Sequence, residues 1–90
     1  MNDLQRENWL NMINRLREFQ QHQMRLGELV HYLESAFDSC EFPESEMVRR
    51  WWDLFQNLEI RNAKSDESET TYLEASEMQQ FMEAQISIQK

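Results

Sequence analysis

The chain has 90 residues, with nine Lys and Arg against seventeen Asp and Glu and a formal net charge of −8. So short a chain builds one domain, residues 1–90, with a core near the lower limit for independent stability and little room for a large catalytic cleft. Its acidic balance repels phosphate, which disfavours nucleic acid and anionic membranes and favours a basic partner, while 40% hydrophobic residues exclude a disordered acidic tail.

A single Gly and a single Pro argue against hairpins and leave long, surface-polar helices. Trp9, Met12, Ile13, Leu16 and Phe19 recur at spacings of three and four, which predicts an amphipathic helix over 3–20. After a polar corner at 21–23, Leu26, Leu29, Val30, Leu33, Phe37 and Cys40 predict a second helix over 25–39, with Gly27 near its start read as a point of close packing. Pro43 restricts Phe42 to extended geometry and suits the first turn of a third helix, where Glu44 and Glu46 would meet the positive end of the dipole. Met47, Val48, Trp51, Leu54, Phe55 and Leu58 carry that helix to about residue 62. The stretch 64–71, rich in Ser, Thr, Asp and Glu, interrupts the apolar pattern. Leu73 then looks like a hydrophobic staple for a last helix through Met78, Phe81, Met82 and Ile86, with Ser76 and Gln79 or Thr71 and Glu74 as the capping box. Short connections between helices favour antiparallel neighbours, so the expected architecture is all-α, an antiparallel up-down-up-down four-helix bundle. Phe37, Phe55, Phe81, Trp51 and Leu33 are its expected central layer.

Catalytic and ligand motifs are sparse. His22 and His31 lack metal-ligand spacing and read as a corner and a helix-flank residue. Cys40 lies on an apolar stripe between Asp38 and Glu41, a setting for a buried thiol rather than a nucleophile. One glycine cannot build a phosphate loop, and no feature singles out any carboxylate pair among so many. No catalytic residue, metal or cofactor is therefore expected. A single cysteine, no signal-peptide pattern and no apolar run near the roughly 18 residues of a membrane span point to a cytoplasmic protein away from membranes.

What remains is where the charge lies. Residues 1–27 hold four arginines and three acids, so the rest of the chain carries a surplus of nine negative charges. Much of that acidity lies at Asp38, Glu41, Glu44 and Glu46, at Asp53 and Glu59, and at Asp66, Glu67 and Glu69. Adjacent helical residues point about 100° apart, so with Trp51 on the buried stripe Trp52 must lie at its border. Gln56 and Glu59 follow Trp52 at four and seven residues, aligning an aromatic, an amide and a carboxylate on one helix face. Trp is over-represented among binding hot spots, although a Trp lying across a seam between helices would also satisfy this pattern.

The amphipathic first helix to Phe19, the segment Leu26-Gly27-Glu28-Leu29-Val30-His31-Tyr32-Leu33-Glu34, the segment Asp53-Leu54-Phe55-Gln56-Asn57-Leu58-Glu59, the acidic connection after it and a short last helix from about Ala75 together resemble the colicin D immunity family of bacterial toxin-immunity proteins. The resemblance covers most of the chain from Trp9 onward. It implies a protein of the colicin or contact-dependent growth inhibition immunity type. Such a protein binds the ribonuclease domain of a cognate toxin, with carboxylates against the basic surface that holds tRNA. Glu59, Asp66, Glu67 and Glu69 would be the toxin-facing acids. With the charge pattern, the expected toxin-binding set is Trp52, Asp53, Gln56, Glu59, Asp66, Glu67 and Glu69, in a monomer or weak homodimer that does not itself bind nucleic acid. The alternative is a phage-type nucleic-acid mimic that inhibits a restriction or RNA-guided nuclease.

Overall fold

The computed structural model describes residues 1–88 and contains four helices and, among the described residues, no strand. Helix α1 spans Asp3–Gln20. The Asn2 side chain accepts from the Gln5 amide and Gln5 returns a bond to the Asn2 amide, which satisfies two of the donors a helix start leaves open. Its predicted stripe is buried throughout. The chain leaves α1 through His22 in the left-handed region, φ 61°. Helix α2, Leu26–Asp38, starts with the Glu28 carboxylate accepting from the Arg25 amide and lies within one residue of its predicted bounds.

Two predicted starts are corrected. Helix α3 is Glu46–Ala63, so Pro43 and Glu44 precede it instead of forming its first turn. Ser45 caps it by accepting from the Val48 amide, and residues 41–45 are used to bring the Phe42 ring against Phe37 at 4.8 Å and Trp9 at 5.6 Å. Helix α4 is Glu69–Ile88, starting well before Ala75, so both predicted capping boxes lie inside it. Its start is built by Asp66, whose carboxylate accepts from the Ser68 amide and whose carbonyl accepts from the buried Thr71 hydroxyl. Leu73 is 64% exposed and staples nothing.

Each helix packs against two others: α1 on α2 and α4, and α3 on α2 and α4. This arrangement is consistent with a bundle enclosing one core of Trp9, Met12, Leu16, Phe19, Leu29, Leu33, Trp51, Phe55, Leu58, Met78 and Met82. Trp9 donates from Nε1 to the Met82 carbonyl at 2.8 Å, so this large ring is buried with its polar atom paired. Phe37, Trp51 and Phe55 stack in series, with centroids 3.9 and 5.1 Å apart. Phe81, expected in the same layer, is only half-buried and lies outside the stack, 6.4 Å from Trp9. Cys40 is buried and its sulfur accepts from Asn8. Gly27 is exposed, and a Cβ there would lie 3.4 Å from Asn62 Oδ1, so no close backbone approach requires the glycine.

Candidate functional site

Trp52 is 37% exposed although its ring touches three core aromatics. It stands at 75° to Phe37, 88° to Trp51 and 82° to Phe55, with centroids 5.0–5.6 Å away. A stack of buried rings therefore holds it by edge-to-face contacts, the favoured geometry for aromatic quadrupoles. Gln56 and Glu59 are exposed one and two turns further along the same face.

Helix α2 completes this surface. Gly27, next to Asn62 of α3, is followed at spacings of four, three and four by His31, Glu34 and Asp38, all exposed, so this line is the flank of α2 that borders α3. Phe37, adjacent to Asp38, is the α2 residue on which Trp52 rests. The surface thus places Glu34 and Asp38 across the seam from Trp52, Gln56 and Glu59. Neither Leu26–Asp38 nor residues 51–60 contain a Lys or Arg, whereas they carry Glu28, Glu34, Asp38, Asp53 and Glu59. None of these five carboxylates forms an ion pair among the described residues.

The other expected site residues lie elsewhere. Asp53 is on the opposite flank of α3 and lines an open groove of about 610 Å³ against α4, with Glu46, Met47, Arg49, Arg50, Phe81 and Gln85. Asp66 and Glu67 are engaged inside the molecule. Asp66 Oδ2 pairs with Arg61 at 3.0 Å, and Arg61 also holds Glu74 at 2.9 Å. Hydrogen bonds from the Ser68 side chain and amide, reinforced by Arg61, hold the Asp66 carboxyl below its usual range. The hydrogen bond and charge of Glu74, with a smaller contribution from Asp66, push the Arg61 guanidinium further up. Glu67 pairs with Arg25 at 3.1 Å, tying the α3–α4 connection to the α1–α2 corner. Glu69 is exposed in the first turn of α4. The structure therefore gathers Trp52, Gln56 and Glu59 and adds Glu34 and Asp38, which the site prediction lacked. Their spacing of four around the Phe37 side of α2 was the pattern that could have included them.

Histidine chemistry takes no part in this surface beyond the exposed His31. His22 lies at the far corner, its Nδ1 3.0 Å from the Tyr72 hydroxyl. No cluster of three His, Cys, Asp or Glu with metal-site geometry occurs among the described residues, and no helix there is long and apolar enough to cross a membrane. The α2–α3 surface is an exposed aromatic within a border of unpaired carboxylates, an arrangement suited to binding a cationic surface. Comparison with known proteins finds no family model, curated protein or solved structure that matches this chain.

Proposed function

We propose that this protein is a non-enzymatic immunity protein of the cytoplasm that binds a cognate toxin nuclease, of tRNA-cleaving type, and covers its basic active-site surface. The observation that carries this reading is the α2–α3 face, where the exposed Trp52 shares a surface with Glu34, Asp38 and Glu59, none of them in an ion pair among the described residues. A nuclease that holds RNA must present Lys and Arg to the phosphates, and a folded acidic surface competes for that same groove. Attraction between the two fields speeds encounter and weakens with salt, because the Debye length shrinks to about 8 Å at physiological ionic strength. Trp52 supplies the desolvated contact that such an interface needs at its centre.

The same reading takes the bundle as antiparallel, up-down-up-down. Its supports are contacts that run in opposite order along neighbouring helices: Gln5 with Cys40 just past the end of α2 and Arg15 with Tyr32 between α1 and α2, Gly27 with Asn62 and Phe37 with Trp52 between α2 and α3, and Trp9 with Met82 and Phe19 with Tyr72 between α1 and α4. In that arrangement α2 and α3 form one broad side.

A growth-protection assay tests the function. The chain is co-expressed with each of a panel of ribonuclease toxin domains of the colicin D and contact-dependent inhibition types. Protection against one of them, lost when Glu34, Asp38 and Glu59 are all changed to Lys while the circular dichroism melt is unchanged, supports the reading. Protection against none of the panel, or protection that survives the triple reversal, overturns it. Capture of a DNA-handling enzyme by the purified protein would favour the nucleic-acid mimic instead.

A further inference from the structure

The docking surface has a chemical preference finer than charge, and this inference rests on the reading of the α2–α3 face given above. We infer that Trp52 is the seat for an arginine side chain of a basic protein partner, with its guanidinium against the exposed indole and its donors directed to the bordering carboxylates. Three observations lead there. Trp52 is fixed from behind by Phe37, Trp51 and Phe55, so its exposed surface is presented without a large loss of side-chain freedom on binding. The carboxylates on the same surface, Glu34 and Asp38 on the facing flank of α2 and Glu59 two turns along α3, are exposed and lack ion pairs among the described residues. Arg49, one turn before Trp52 on α3, is paired with Glu44 at 3.4 Å, and neither α2 nor residues 51–60 hold a Lys or Arg.

Arginine fits this seat better than lysine. Its planar guanidinium stacks on an aromatic face while its five donors fan outward toward carboxylates, whereas an ammonium is a compact, strongly hydrated charge. The chain uses the same pairing internally, with the Arg15 guanidinium 5.6 Å from the centroid of the Tyr32 ring. Apolar contact alone would not choose between the two cations.

The test needs no toxin and so separates this inference from the immunity function. A tetra-arginine and a tetra-lysine peptide are titrated into the full chain, and the three indole N–H signals and the backbone amides are followed by NMR. The expected result is about threefold tighter binding of the arginine peptide, the scale of one exposed cation–π contact, with the Trp52 indole and the amides around Glu34, Asp38 and Glu59 shifting most. Trp52→Leu keeps the apolar bulk and should bring the two peptides to equal affinity, whereas Glu34→Gln with Glu59→Gln should weaken both alike. Equal binding of both peptides by the unmodified chain overturns the inference, as does an unmoved Trp52 indole with shifts centred on residues 66–69. Failure of the growth-protection assay with this peptide preference intact would leave an arginine-binding face in a protein of another function.

Discussion

Truncating Phe55 to Ala tests the ring stack that supports the exposed Trp52. Phe55 has no solvent exposure, stacks on Trp51 at 5.1 Å and meets Trp52 at 5.6 Å. A buried aromatic removes about 150–250 Å² from water, or about 4–6 kcal/mol at roughly 25 cal/mol per Å². Ala retains part of that burial, while the cavity left behind adds a cost, so the expected loss is about 3–5 kcal/mol. A chain of this length is stabilised by about 5–13 kcal/mol in total, so Phe55→Ala should remain folded only marginally. Urea unfolding followed by circular dichroism should show a midpoint lower by roughly 2–5 M, for a slope near 1–1.5 kcal/mol per M. Tryptophan emission should move to longer wavelength as Trp52 loses its support. Phe81→Ala is the internal comparison: that ring is half-buried beside the α3–α4 groove, and its smaller buried area sets a loss of about 1–2 kcal/mol. Equal losses at the two positions, or a loss below about 1 kcal/mol at Phe55, would refute this assignment of the core.

Ser45→Ala removes the acceptor for the Val48 amide and should cost about 1 kcal/mol by the same urea titration, whereas Pro43→Ala, ahead of the helix, should cost clearly less. Gly27→Ala should stabilise the chain by about 0.5 kcal/mol, since the residue is helical and exposed and the added Cβ meets only Asn62 Oδ1 at 3.4 Å; a lower melting temperature would count against it. Asp66 gives the molecule an acid-sensitive contribution. Because its folded pKa lies below the ordinary 3.8, its stabilising effect is present above that value and is lost as pH falls through the folded pKa. Asp66→Asn should therefore narrow the difference in melting temperature between pH 6 and pH 2.5; an unchanged difference would refute this role for Asp66.

The elements most legible in the sequence are those whose side chains agree with one another. In α1 and α2 the apolar residues recur without interruption and polar corners bound them, so periodicity alone places both within a residue. Helix α3 offers two competing starts three residues apart. Pro43 suits a first turn by its fixed φ, but Ser45 supplies an oxygen for an otherwise open donor, and Phe42 needs the intervening chain to reach Phe37 and Trp9. The start of α4 is hidden because its buried line opens with Thr71 and Ala75, small residues that a search for large apolar side chains passes over. The exposure of Trp52 follows from its neighbour on the stripe. The engagement of Asp66 and Glu67 does not, because their cations, Arg61 and Arg25, are brought to them by the turn after α3 and by the tertiary fold.

The acidity of the α2–α3 face and the attachment of α4 share one cause. Helix α4 buries only Thr71, Ala75, Met78 and Met82, a narrow strip between α1 and α3. Polar contacts add to its hold: Arg17 reaches Glu83, Arg50 reaches Glu77, Arg61 reaches Glu74, and Gln20 bonds Gln79. Three of the chain's nine cationic residues are committed to that helix. Others stay local, Arg15 with Glu18 and Arg49 with Glu44, or close the corner with Glu67. Helices α2 and α3 meet through Phe37, Trp51, Trp52 and Phe55 and need no such pairs. The α2–α3 seam, packed by these rings, is therefore bridged by no ion pair among the described residues. Its carboxylates are not neutralised from within, and its outermost ring is held ready by the core beneath it. A change that weakened the ring stack would disturb the docking surface before it disturbed α4, whereas raised salt would screen the α4 pairs and the encounter with a basic partner together.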